Sequence, residues 1–127
     1  MQNVYLAATS ATPEVDFRFD SHRMSLKGES YPENAQAFYG PLLDAVGSYL
    51  AACRGTTIQI DVQLAYFNSS STKLLMSLFE QFNQAALAGN HVLVNWFHDE
   101  EDDTILEFGE EIAEDYPALE LLTQALV

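Results

Sequence analysis

Alternating apolar and polar positions mark three short strands at the front of the chain. The runs Val4–Ala8, Val15–Phe19 and Met24–Lys27 are separated by the turn-like segments Thr9-Ser10-Ala11-Thr12-Pro13 and Asp20-Ser21-His22, and Val15, Phe17 and Phe19 share one face by period-two spacing. An antiparallel β start is the expectation. Gly28 to Asn34 reads as a loop leading into a helix, because Pro32 suits a first helical turn and Glu33 complements the positive end of the helix dipole. Phe38, Leu42, Val46, Tyr49, Leu50 and Cys53 carry that helix on at helical spacing. Pro41, following Gly40, removes an interior hydrogen bond, so a kink or break is expected there.

Thr57 to Phe67 is the clearest strand, with Ile58, Ile60, Val62 and Leu64 on one side and an end that runs straight into Asn68. A second helix follows without a linker. Leu74, Leu75, Leu78, Phe79 and Phe82 form its buried face, and Gly89-Asn90 supplies a left-handed stop. His91 to Phe97 reads as another central strand, with Trp96 and Phe97 as core. The acidic run Asp99 to Asp103, a helix from about Thr104 to Asp115, the breaker Tyr116-Pro117 and a short final helix carrying Leu119, Leu122 and Leu126 complete the chain. The predicted class is α/β, a mixed sheet of four to five strands backed by helices in the order βββαβαβαα. Each βαβ step brings its strands parallel through a right-handed crossover, and sites in such sheets lie at the carboxyl ends of strands. Phe67-Asn68-Ser69 is one of those ends.

The composition narrows the partners. At 127 residues and 48% hydrophobic content, the chain is read as one domain spanning 1–127 with enough apolar material for a continuous core. Nineteen acidic residues against five basic ones give a formal charge of -14. Arg18, Arg23, Lys27, Arg54 and Lys73 cannot supply the clustered cations that nucleic acid or an anionic membrane demands. Cys53 is the single cysteine, which rules out an internal disulfide and fits a reducing compartment. With no leader-like start and no run approaching the ~20 apolar residues of a membrane span, a cytoplasmic location is expected.

Asn68-Ser69-Ser70-Ser71-Thr72-Lys73 places four hydroxyls between a buried strand and the first turn of a helix. Backbone N–H groups at such a terminus lack helical partners and, with the dipole, stabilise negative charge by roughly 0.3–1 kcal/mol at exposed positions. A phosphate is a natural occupant. Phosphorylation would add about -1.5 to -2 charges and three strong acceptors, enough to expel a partner fitted to a neutral hydroxyl. A plain cap by Asn68 or Ser69 explains one of these residues equally well, but one cap needs one residue. Asn68-Ser69-Ser70 also matches a glycosylation sequon, which a cytosolic chain would not use.

Three spaced segments, Lys27-Gly28-Glu29-Ser30-Tyr31-Pro32-Glu33-Asn34, Phe38-Tyr39-Gly40-Pro41 and Tyr66-Phe67-Asn68-Ser69-Ser70-Ser71-Thr72-Lys73, together resemble the SiaC family of bacterial regulatory phosphoproteins over nearly the whole chain. The resemblance implies a fold similar to the STAS domains of anti-sigma factor antagonists and function by partner switching, without catalysis or cofactor. It implies a SiaB-like Ser/Thr kinase, a SiaA-like PP2C-type phosphatase, and a SiaD-like diguanylate cyclase that the unphosphorylated form binds and activates, with cyclic di-GMP and biofilm behaviour as output. The family's acceptor position falls on Ser69, where many relatives carry Thr; Ser70, Ser71 and Thr72 are rivals. Glu29, Ser30, Tyr31, Pro32, Glu33, Asn34, Tyr66, Asn68 and Lys73 are the implied partner surface, although a helix start explains the first six nearly as well. The alternative is an anti-sigma factor antagonist or stressosome-like scaffold acting on an anti-sigma kinase.

Other chemistry finds little support. His98-Asp99-Glu100-Glu101-Asp102-Asp103 offers oxygen ligands but lacks the alternation and central glycine of an EF-hand, so a solvated acidic loop is the simpler reading. His22, His91 and His98 are scattered over loop or strand-edge positions without an HExxH or GxSxG context.

Overall fold

The computed structural model describes residues 2–126. Strands β1 (Val4–Leu6), β2 (Glu14–Arg18) and β3 (Arg23–Ser30) form the antiparallel start, and α1 (Ala35–Ala52), β4 (Thr57–Phe67), α2 (Ser69–Leu87), β5 (His91–Asp99), α3 (Asp103–Asp115) and β6 (Glu120–Leu126) follow. The strands lie side by side in chain order, antiparallel from β1 to β3 and parallel from β3 to β6. All three parallel crossovers step the same way across the sheet, so right-handed connections put α1, α2 and α3 on one face. Period-two alternation supplies that face with Val15, Phe17, Met24, Leu26, Ile58, Ile60, Val62, Leu64, Val92, Val94 and Trp96, all buried. The other face carries a polar ladder: Asp61 Oδ1 accepts from Gln59 Nε2 (3.2 Å) and Asn95 Nδ2 (2.9 Å), and Asn95 Oδ1 accepts from Gln124 Nε2 (2.8 Å).

Several expectations need correction. The segment after Tyr116-Pro117 is strand β6 and not a helix, which raises the sheet to six strands and changes the order to βββαβαβαβ. Leu119, Leu122 and Leu126 suit helical spacing, but a helix of that length is marginal alone. Pairing residues 120–126 with the edge of β5 gives their backbone a ladder, from Leu93↔Glu120 to Asp99↔Leu126. Gly28 to Ser30 belong to β3, not to a loop, and α1 begins at Ala35 with Asn34 as its cap, so Pro32 and Glu33 precede the helix. Pro41 lies inside an unbroken α1. Phe97 is half-buried on the face opposite Trp96, and His98 is a buried position next to the last residue of β5.

Trp96 anchors the α3 side of the core. Its ring stacks on Phe108 at a 5.7 Å centroid distance, meets Phe79 at 6.1 Å, and its Nε1 donates to the Ile105 carbonyl at 2.8 Å. Gly109 gives the indole room, since a Cβ there would sit 2.4 Å from Trp96 Cδ1. Gly109→Ala should therefore destabilise by about 1–3 kcal/mol through overpacking, outweighing the ~1 kcal/mol of helix propensity gained. Urea denaturation checks it; an unchanged or raised midpoint would mean that the indole yields.

Candidate functional site

The carboxyl ends of β3 and β4 and the amino ends of α1 and α2 meet at one edge of the sheet. The β3–β4 register slips between Gly28↔Leu64 and Glu29↔Tyr66, leaving Ala65 as an extra residue on β4. A bulge of this kind increases local twist and re-aims the residues beyond it. Asn68 N–H donates to the Ser30 carbonyl at 3.0 Å, which fastens the start of α2 to the end of β3. Asn68 caps α2, its Oδ1 accepting from Ser71 N–H at 2.9 Å, just as Asn34 Oδ1 accepts from Ala37 N–H at 3.0 Å at the start of α1.

The four hydroxyls differ sharply in surroundings. Ser69 and Ser70 are exposed. Thr72 is half-buried, and its Oγ1 donates back to the Asn68 carbonyl at 3.1 Å. Ser71 is 0% exposed, its Oγ donating to the Ser30 carbonyl at 3.1 Å. Ser30 Oγ donates to Ser71 Oγ at 2.8 Å, which uses its one proton, so the Tyr39 hydroxyl is the donor in its contact with Ser30 Oγ. Burial raises the Tyr39 phenol above its ordinary pKa, opposed by the hydrogen bonds with Ser30 and Ser71, so it remains a neutral donor. This internal relay ties α1, β3 and α2 together. Sequence reasoning missed it: nothing in the spacing of Ser30, Tyr39 and Ser71 announces a shared buried site.

The residues implied by the motifs as a partner surface are distributed over the ends of β3 and β4 and the starts of α1 and α2. Tyr31 (40% exposed) and Tyr66 (51% exposed) bring their rings to 6.0 Å. Glu29 and Glu33 are exposed, Pro32 is half-buried, and Ser30 faces inward, so its side chain belongs to the relay and not to the outer surface. Glu33, Asn34, Gln36, Ser70 and Lys73 line a shallow groove of about 310 Å³ between the starts of α1 and α2. Lys73 is four residues beyond Ser69, which makes the two neighbours on the helix surface. Asn68 spends its side-chain oxygen on the cap, while the N–H groups of Ser69 and Ser70 lie ahead of the first helical acceptor.

The family model for SiaC family regulatory phosphoproteins matches residues 6–126. The chain belongs to that family. It is 30% identical over 115 residues to an uncharacterized protein of Pseudomonas aeruginosa strain UCBPP-PA14, covering 91% of this chain and 90% of that protein. Among solved structures it is similar to apo-SiaC of Pseudomonas aeruginosa, with a TM-score of 0.90 and 30% identity over 98% of this chain and 100% of that one. It is also similar to a chain in the crystal structure of the diguanylate cyclase SiaD in complex with its activator SiaC from the same organism, at a TM-score of 0.89 and 29% identity over 97% and 99% of the two chains.

In this SiaC-family regulatory phosphoprotein, the other candidates stay apart from the Ser69 edge. Among the described residues, no three His, Cys, Asp or Glu side chains are grouped to hold a metal ion, and no helix is long and apolar enough to cross a membrane. In the acidic run, Asp102 caps α3, its Oδ1 accepting from Ile105 N–H at 3.1 Å, and Asp99 Oδ1 accepts from Glu101 N–H at 2.9 Å. His22 Nδ1 lies 2.6 Å from the Tyr49 hydroxyl, and His91 Nε2 lies 3.0 Å from Glu120 Oε1.

Proposed function

We propose that this protein is a partner switch whose state is set by a phosphate on Ser69. The observation that carries the reading is that Ser69 is an exposed residue at the first position of α2, three residues after Tyr66 of the exposed Tyr31–Tyr66 pair and one helical turn from Lys73. A phosphate there meets the positive end of the helix, the forward N–H groups of Ser69 and Ser70, and the Lys73 ammonium. Of the rivals, Ser70 is equally open to solvent, whereas Ser71 and Thr72 hold their hydroxyls in internal hydrogen bonds.

The unmodified surface offers two aromatic rings and a neutral hydroxyl, the composition of an interface centre. Glu29, Tyr31, Pro32, Glu33, Asn34, Tyr66, Asn68 and Lys73 frame it. Similarity to SiaC favours a SiaD-like diguanylate cyclase as the partner bound and activated by the unphosphorylated form, over the anti-sigma kinase of the alternative reading. A SiaB-like kinase would install the phosphate and a SiaA-like PP2C-type phosphatase remove it. The protein itself would perform no chemistry, and cyclic di-GMP, hence biofilm behaviour, would be the output. A cytoplasmic setting fits that cycle.

Calorimetry with the cognate cyclase tests the charge logic. Ser69→Ala should bind within about threefold of the unmodified chain, while Ser69→Asp should bind at least about tenfold more weakly, a difference of ~1.4 kcal/mol. Equal affinities for the two variants would show that charge at this position is not the switch.

A further inference from the structure

The sheet parts in the middle at its carboxyl edge. β4 and β5 are paired only from Thr57↔His91 to Val62↔Trp96, although β4 runs on to Phe67 and β5 to Asp99. Beyond that point β4 stays with β3 as far as Ser30↔Phe67, and β5 stays with β6 as far as Asp99↔Leu126. The main chain of residues 63–65 and 97–99 therefore loses the ladder between the two strands, and the Ala65 bulge lies at the opening. Bulges are concentrated beside functional sites. The gap holds a cavity of about 230 Å³, below the ~300 Å³ at which sites for drug-sized ligands begin, so it suits a small molecule.

Its lining has a definite chemistry. His98 is 8% exposed, and its Nδ1 lies 3.0 Å from the Asp99 carbonyl, which can only accept, so Nδ1 carries the proton. Among the described residues Nε2 has no hydrogen-bond partner and is not sealed in the interior, so it is free to accept from a molecule in the cavity. Lys27 lines the same cavity with Asp99 and Asp102, whose Oδ1 atoms are taken by backbone N–H groups while their Oδ2 atoms are left over. Phe97, Ile105 and Leu126 supply apolar wall.

A bare metal ion does not fit, because the acidic and imidazole groups are not gathered into a coordinating set among the described residues. An anion would meet two carboxylates, and a simple cation would meet Lys27. A molecule bearing both charges satisfies all three. We infer that the cleft between the parted ends of β4 and β5 binds a free α-amino acid or a similar small zwitterion, its carboxylate toward Lys27, its ammonium toward Asp99 and Asp102, and its side chain against the apolar wall. This goes beyond the Ser69 switch and does not depend on it.

The full-length chain, labelled with nitrogen-15, should be titrated with each proteinogenic L-amino acid to about 10 mM, a tenfold margin over a dissociation constant of ~1 mM. At least one should give saturable amide shifts at residues 63–65 and 97–99. The same amino acid with its nitrogen acetylated, or with its carboxylate converted to an amide, should give none. Lys27→Met and Asp99→Asn, both at exposed positions, should each weaken the response about tenfold or more. Absence of any saturable shift, shifts of equal size from the acetylated derivative, or indifference to both substitutions would overturn the inference.

Discussion

Ser71→Asp should come close to unfolding the protein, whereas Ser69→Asp, two residues earlier, should leave its stability almost unchanged. Ser71 is fully buried, and every acceptor and donor around it is committed: Ser30 Oγ donates to it and the Ser30 carbonyl receives its proton. A carboxylate there would take away one of the two hydrogen bonds to the Ser30 carbonyl, leaving it the Asn68 N–H alone, and would stand without a counter-charge in the interior beside the neutral Tyr39 phenol. An uncompensated buried charge costs about 3–5 kcal/mol, a large share of the ~5–15 kcal/mol by which domains are stable. At Ser69 the same carboxylate is exposed and meets the positive end of α2, a neutral to slightly favourable change of about 0.3–1 kcal/mol. Chemical denaturation of the two variants measures the contrast. Equal loss in both, or equal tolerance, would contradict the inward and outward assignment of these hydroxyls.

Trp96→Ala is expected to lower stability by about 3–5 kcal/mol, or roughly 10–20 °C in melting temperature for a chain of this size. The indole fills the space between β5 and α3, touches Phe79 and Phe108, and holds the Ile105 carbonyl through Nε1. Truncation leaves a void and removes the additional hydrogen bond from Nε1 to a carbonyl within α3. The loss should fall mainly on α3, so a thermal melt that moves only a few degrees would mean that α3 closes down on the gap.

Period and capping chemistry carried most of the architecture. Alternation in Val15-Phe17 and Ile58-Ile60-Val62-Leu64, helical spacing from Leu74 to Phe82 and the Gly89 stop were legible because each follows from local geometry, and Gly89 indeed adopts a φ of +105°; Phe19, expected to continue the first of these strands, is buried but lies in a short 3-10 turn after it. The final segment misled for a physical reason. Leu119, Leu122 and Leu126 fit a helix locally, and their true state depends on a backbone ladder with β5 that no local pattern encodes. Pro41 misled in the opposite sense, because packing of Tyr39, Leu42 and Val46 into the core holds α1 together across it. At the candidate site, the motif pointed to the Asn68–Lys73 edge but could not separate the surroundings of its four hydroxyls. What sets Ser71 apart from the exposed Ser69 and Ser70 is a tertiary contact, its meeting with Ser30 and Tyr39 across elements far apart in the chain.

Incubation of the protein with its cognate Ser/Thr kinase, ATP and Mg²⁺, followed by mapping of the modified residue by mass spectrometry, tests the switch most directly. The outward-facing hydroxyl at the first position of α2 predicts phosphate on Ser69. Phosphate on Ser70, Ser71 or Thr72 in place of Ser69, or confined to residues outside Ser69 to Thr72, would contradict it.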